Sequence, residues 1–558
     1  MKTSLISTLS IGLFVSCGLA DRTHAADADV LPHLRRQGTA TQLIVDGKPF
    51  LMRAGELGNS TGEPAFLRQY WPKLEALHLN TLLVPVYWDL IEPEPDKFTF
   101  AAIDALLADA REHNMRLVLL WFGSWKNARS CYVPAWIKSD PVRFPRSHAA
   151  TGLALEMLSP FHTANLDADT RAFSALMRHL RETDSARHTV LMVQVENEIG
   201  MIPDARDHSP EADGQFAAAV PAELLAYLTK NTDALAPDLR ALWLGAGGKR
   251  AGTWSEVFGT DAGSEEVFMA WHFARYVQQV ASRGKAEYGL PMFVNAALIR
   301  PGHQPGQYPS AGPLPHLFDV WRAGAPAIDF LAPDIYFRNF SEWARRYARG
   351  GNALFVPEAL PAPEASVNGL FAFASLNAMG FSPFGIEAVG EPVSRAIGDS
   401  FDLVAQLTPL IVEHQGSGTM VGLLPEGAEQ REPQRVVLGD YVALVSFERP
   451  TPPAVAEGLA APGAASAAGG PAQPSGGLVI QLAADELILA GTGITATFQA
   501  RAGGPLQAGL LSVEEGRFVD NKWTHLRWLS GDQTHQGRHV RIGPGSFGIQ
   551  RVKLYTYK

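Results

Sequence analysis

The chain has 558 residues, 46% of them apolar and 19% charged, with a formal net charge of −10. That length exceeds what one hydrophobic core supports and implies two or three domains. An acidic balance without a long basic tract excludes a nucleic-acid surface. Beyond the amino terminus no apolar run is long enough to span a bilayer.

Residues 1–25 read as an export signal. Lys2 supplies the positive start, Leu5 to Ala20 is apolar and uncharged, and Thr23-His24-Ala25 loosely fits a small-x-small cleavage site. The expected location is therefore periplasmic or secreted. Cys17 raises a lipoprotein alternative, although Phe14-Val15-Ser16-Cys17 fits a lipobox poorly. If Cys17 leaves with the signal, Cys131 is the one remaining cysteine and no intramolecular disulfide forms. The 16 histidines make no His-Glu-x-x-His pattern, and the sequence has no calcium loop, Gly-x-Ser-x-Gly elbow or phosphate loop. Neither a metal nor a cofactor is expected.

From about residue 40 to 390, short apolar runs alternate with helix-like stretches. Phe50 to Glu56 is the first strand, and Leu82 to Val86, after a helix over Glu63 to Leu79, is the second. Leu117 to Gly123 follows a helix over Ala102 to His113, and Val190 to Glu198 follows one over Asp167 to Glu182. Met292 to Asn295, Phe330 to Tyr336, Ala353 to Glu358 and Gly380 to Gly385 complete eight. Eight parallel strands with intervening helices predict an α/β fold, a closed (β/α)₈ TIM barrel over 26–395. The long connection from Glu198 to Met292 predicts an insertion holding helices at Ala222 to Leu235 and Phe268 to Arg283. Between them lies a short apolar run, Leu242 to Leu244. A helix over Asp402 to His414 opens a second unit, 396–558. Its short alternating runs begin at Arg435, Tyr441, Gly477, Glu486, Ile494, Val540 and Gln550, and predict a C-terminal β-sandwich with a mobile loop around 452–477.

Val193-Gln194-Val195-Glu196-Asn197-Glu198 and Phe355-Val356-Pro357-Glu358 are β-branched, apolar runs that end in carboxylates. Residues at the C-terminal ends of barrel strands build the active site. Two acids at two such ends suit glycosidic bond cleavage, which needs a proton donor and a second carboxylate. Glu198 is the candidate acid/base and requires a raised pKa. Glu358 is the candidate nucleophile, expected about 5–5.5 Å from Glu198 if configuration is retained. Asn197 is placed to bond the sugar 2-hydroxyl. Strict alternation would put Glu196 on the same face as Glu198, unless a backbone irregularity turns Asn197 and Glu198 inward together. Glu196 then either joins the site or is a buried structural acid. Tyr336 either donates to Glu358 or packs at the rim. Trp88, Trp121 and Trp125 either stack on a sugar or fill core, and Glu92 either orients a hydroxyl or closes a turn. Asn127, Asn295, Trp271 and His272 are further candidates of the same type.

Gln194 to Gly200 resembles the acid/base motif of the glycoside hydrolase family 35 β-galactosidases. Tyr87-Trp88-Asp89-Leu90-Ile91-Glu92-Pro93, followed by Phe98-Thr99-Phe100, is similar to the second-strand signature of that family. Val356-Pro357-Glu358 resembles the nucleophile strand of the wider clan of retaining barrel hydrolases. The resemblance covers roughly residues 40–390. It implies retaining, exo-acting removal of terminal β-galactose, with Glu198 as acid/base, Glu358 as nucleophile and a carbohydrate as partner, xyloglucan fragments among the candidates. The chain departs from the pattern at Ile199, at Pro85 and at Gly123-Ser124-Trp125-Lys126-Asn127, where the family carries a sugar-gripping glutamate. These departures bear on which sugar enters. The alternatives are another exo-β-glycosidase, a glucosidase or glucosaminidase, and a carbohydrate-binding barrel without turnover.

Overall fold

The structure is a computed structural model that describes residues 31–427, 430, 432–448, 473–502 and 506–558. The expected export signal, Cys17 and most of the 452–477 loop lie outside the described residues.

Eight parallel strands close into a barrel: β1 (Met52–Glu56), β2 (Thr81–Tyr87), β3 (Arg116–Lys126), β4 (Val190–Asn197), β5 (Met292–Ala297), β6 (Phe330–Ile335), β7 (Phe355–Ala359) and β8 (Gly380–Pro383). All eight match the runs read from the sequence. Every residue of β4, β6, β7 and β8 is buried, because helices cover the outside while side chains fill the inside. The barrel floor is aromatic. Phe293 stacks on Phe330 at 5.0 Å and meets Phe355 edge-on at 5.5 Å. Leu43 and Val45, from the central strand of a three-stranded antiparallel hairpin meander over 33–49, pack into this cluster and plug the end of the barrel where the strands begin. That hairpin is an addition to the sequence reading.

The β4–β5 insertion holds five helices, the longest being Ala262–Glu287, which Asp261 caps through the amides of Gly263 and Ser264. The run Leu242-Trp243-Leu244 lies in a helix, Pro237–Gly245, whose buried Leu239 and Trp243 are one turn apart. Helix Ala262–Glu287 packs on helix Thr163–Asp184 so closely that a Cβ on Gly284 would come within 2.2 Å of the Phe173 ring.

The C-terminal unit is two antiparallel sheets. One has six strands, in the order 420–423, 476–483, 486–492, 548–557, 507–519, 522–528; the other has four, in the order 434–438, 441–447, 494–500, 540–542. The strands over 476–483 and 486–492 of the six-stranded sheet are buried on both faces. Val479, Leu487 and Leu489 face the second sheet, while Leu478, Ile480, Ile488 and Ala490 join the core of the barrel's helices. This is why Leu478-Val479-Ile480 and Leu487-Ile488-Leu489 are apolar at consecutive positions. The expected boundary at 395 falls inside a helix, Val393–His414, which packs against both units.

The start of β4 is held by one carboxylate. Asp184, fully buried at the end of helix Thr163–Asp184, accepts the amides of Thr189 (3.0 Å) and Val190 (2.8 Å) and a bond from Arg111 Nη2 (2.7 Å). Removing it leaves two buried amides without an acceptor and Arg111 without its ion pair. Asp184→Ala should lower the unfolding free energy by roughly 2–4 kcal/mol, read from urea denaturation midpoints. Asp184→Asn should recover part of the loss.

Candidate active site

The backbone at the end of β4 leaves regular geometry. Glu196 and Glu198 both take positive φ, 62° and 45°, which is uncommon for residues with a Cβ. Opposite it, β3 advances from Trp121 to Lys126 while β4 advances only from Val195 to Asn197. This double irregularity breaks the alternation of side chains. Glu196 turns outward to the helix layer, where its Oε2 accepts the Trp125 amide at 2.7 Å beside Asp169. Asn197 and Glu198 turn to the cleft. Gly123 is required here, since a Cβ on it would lie 2.3 Å from the Trp121 indole nitrogen and 2.8 Å from Glu196 Oε1.

The cleft has a volume of about 620 Å³ and opens at the C-terminal ends of the strands. At its floor one carboxylate oxygen from each of Glu198, Asp334 and Glu358 lies within 4.8 Å of the other two. All three groups are buried. Glu358, on β7, accepts Tyr336 Oη at 2.7 Å and longer bonds, both 3.4 Å, from Asn197 Nδ2 and Asn295 Nδ2. Every partner donates, the arrangement an anionic carboxylate accepts. Asn295 also receives the Glu198 amide at 2.9 Å and donates to Asp334 at 2.8 Å, so one β5 amide ties three strands together. Asn127 donates to Glu198 Oε2, and Lys126 Nζ donates to Asn197 Oδ1 at 2.8 Å.

Burial and the neighbouring Glu358 charge push the Glu198 carboxyl up to about 7, with Lys126 pulling the other way. Burial, then Glu358 and Glu198, holds Asp334 well above the usual carboxylate range. Its Oδ1 meets no donor, and a proton on Asp334 directed at Glu198 satisfies the pair. Glu56, at the end of β1, has two buried oxygens without donors and is also raised, by burial and then by Glu358. Burial and Glu358 raise Tyr336, which keeps it a neutral donor. Glu196 is raised by burial and by Asp169. Its Oε1 has no donor and is satisfied once it carries a proton toward Asp169.

Glu198, Glu358, Asn197, Asn127 and Tyr336 therefore lie together, with Asn295 among them. Trp88, Glu92 and Trp125 do not. Trp88 is fully buried and donates its indole N–H to Glu92 Oε2 at 3.0 Å. Glu92 is also fully buried; it accepts the Asp96 amide at 2.9 Å and faces Arg171. The pair closes the turn after β2 and reaches no sugar. Trp125 lies beneath the cleft, its N–H on the Leu158 carbonyl at 3.1 Å and its ring edge against Tyr276. Trp121 bonds Asp169 in the helix layer. Trp271 and His272 belong to the insertion core, where burial depresses the imidazole to about 3. Lys126, Asp334 and Glu56 are the residues that sequence reading passed over. Each ends an apolar strand run in a charge, the same signal that marks Glu198 and Glu358.

A family model described as a domain of unknown function (DUF5597) matches residues 397–541, in the C-terminal unit. Over 218 residues the chain is 27% identical to a β-galactosidase of Xanthomonas manihotis, covering 38% of this chain and 33% of that protein. The chain thus spans about a third of the length of the curated relative it matches. Among solved structures, a cold-adapted β-galactosidase from a Rahnella species is similar at 16% identity and a TM-score of 0.46, covering 67% of this chain and 58% of that one. A β-galactosidase from Bacillus circulans sp. alkalophilus follows at 13% identity and 0.44, covering 65% and 57%.

Two substitutions separate the neighbouring glutamates. Gln fits the place of a protonated Glu196, its amide N–H toward Asp169 and its oxygen on the Trp125 amide. Glu196→Gln should shift the unfolding free energy by less than about 1 kcal/mol. A carboxyl titrating near pH 7, followed by isotope-edited infrared or carbon-13 NMR, should persist in Glu196→Gln and vanish in Glu198→Gln.

Proposed function

We propose that this protein is a retaining, exo-acting β-galactosidase of the glycoside hydrolase family 35 type, exported from the cell and acting on terminal β-galactosyl residues of oligo- or polysaccharides. One observation carries the reading: the Glu198 and Glu358 carboxyls face one cleft with oxygens within 4.8 Å. Groups that close leave room for a sugar carbon between them but not for an additional water, the spacing that favours double displacement. The partial identity to the Xanthomonas β-galactosidase supports the choice of sugar.

In this mechanism a Glu358 oxygen attacks the anomeric carbon while Glu198 gives its proton to the glycosidic oxygen. The carbon–oxygen bond breaks and the leaving group departs neutral as an alcohol. A covalent glycosyl ester on Glu358 and an ionised Glu198 remain. Glu198 then takes a proton from water, whose oxygen attacks the same carbon and returns Glu358 as a carboxylate. The Tyr336 and Asn295 donors hold Glu358 for attack, and Asn197 stands where a 2-hydroxyl would sit. Glu198, raised to about 7, is partly protonated at neutral pH and suits both steps.

The test is a panel of aryl β-glycosides with product anomers followed by NMR. The β-galactoside should be hydrolysed first to the β-anomer, and Glu358→Ala should lose turnover by roughly 10⁴-fold or more. Donation needs the Glu198 proton, so kcat/KM should fall as pH rises through about 7. In Glu198→Ala that limb should disappear, with activity lower by roughly 10²–10⁴-fold. Equal rates on glucosides and galactosides would overturn the assignment of sugar. An α-anomer as first product would overturn the retaining mechanism.

A further inference from the structure

The cleft is divided by charge. Its floor holds Glu198, Asp334 and Glu358 with Lys126, whose ammonium is occupied by Asn197 and surrounded by these buried acids. Its mouth carries Arg129 and Arg300, both exposed, and no further acid lines it. Neither arginine side chain has an ion pair or hydrogen bond among the described residues. Their place in the barrel gives them a direction. Arg129 follows β3 and Arg300 follows β5, the strands on either side of β4. The Arg129 turn is bonded to Glu198 directly, through the Ala128 amide on the Glu198 carbonyl (3.3 Å) and through Asn127. The acid that protonates a glycosidic oxygen faces the leaving group, and the nucleophile on β7 stands across the barrel. The two arginines therefore flank the position of the unit beyond the scissile bond.

We infer that the leaving-group side of the cleft is built for a sugar bearing an oxyanion, a carboxylate or sulfate, held by Arg129 and Arg300. This rests on the assignment of Glu198 as acid/base in the proposed function. An anionic substituent on the terminal galactose would meet Asp334 and Glu358 at the floor. On the next unit it meets two guanidiniums whose forked donors match planar or tetrahedral oxyanions. The same polarity orients the substrate as it enters, neutral end first.

The experiment compares kcat/KM for β-galactosyl-glucose, β-galactosyl-glucuronic acid and a β-galactosyl-glucose sulfated on the glucose, at low and high ionic strength. The wild-type protein should prefer at least one anionic substrate over the neutral one by roughly tenfold. The preference should shrink in 0.5 M salt, where screening is nearly complete within a few ångströms. Each of Arg129→Ala and Arg300→Ala should reduce the anionic-to-neutral ratio by roughly threefold or more, and lysine at either position should restore part of it. Which anion gains more separates carboxylate from sulfate. Calorimetric binding of the same saccharides to Glu358→Gln reads the preference without turnover. Absent hydrolysis of every galactoside would count against the functional reading. A wild-type ratio near one in both hydrolysis and binding, or a ratio unchanged in the double alanine variant, would overturn the role of the arginines.

Discussion

Three carboxyl groups with oxygens within 4.8 Å of one another, all buried, cannot ionise together. At an effective dielectric near 20, two charges at that separation repel by about 3.5 kcal/mol, which is about 2.5 pKa units. Burial first, with this repulsion added and Lys126 opposing, carries Glu198 from the ordinary range to about 7. The partition of the remaining charge follows from hydrogen bonding. Glu358 receives donors from three residues, whereas Asp334 keeps an oxygen that meets none. One acid is furnished for the anion and its neighbours for protons, so environment alone assigns different work to chemically similar groups.

The barrel makes this crowding possible. Each of β1, β3, β4, β5, β6 and β7 delivers at least one polar side chain to the same end, and the strands pin one another through those side chains as well as through their backbones. The Asn295 amide is the clearest case, linking β4, β6 and β7. The strained turn at Glu196 and Glu198 belongs to the same design. Without it both glutamates would share one face, four acids would crowd the floor, and Asn197 would point to the helices. The bulged end of β3, with Gly123 beneath it, is the space into which that turn fits.

Some elements were legible because burial demanded a pattern. The eight barrel strands are apolar runs between amphipathic helices, and two strands of the C-terminal sheet carry consecutive apolar residues, Leu478-Val479-Ile480 and Leu487-Ile488-Leu489-Ala490, because both of their faces are covered. The strands over 507–519 and 522–528 were not read. Leu511, Leu526 and Trp528 are exposed and Val513, Phe518 and Trp523 are scattered among polar residues, so no regular alternation marks a core face. Their one local sign is Asp520-Asn521, both at positive φ, the geometry of a two-residue hairpin turn. The hairpin over 33–49 was missed for a related reason: it plugs the barrel rather than joining its sheet.

From the sequence alone came the strand count, the two units and the pair of glutamates at strand ends, because each is a one-dimensional pattern imposed by burial or by chemistry at a chain position. Only the tertiary structure decided which polar residues meet. Trp88, Glu92 and Trp125 lie close in sequence to strand ends but turn into the layers behind them, while Asp334 and Lys126 come to the floor, and Glu56 beneath it, from three separate strands. Side-chain direction at the end of a strand depends on a local irregularity in the backbone and on the neighbour packed against it, and neither leaves a periodic trace in the chain.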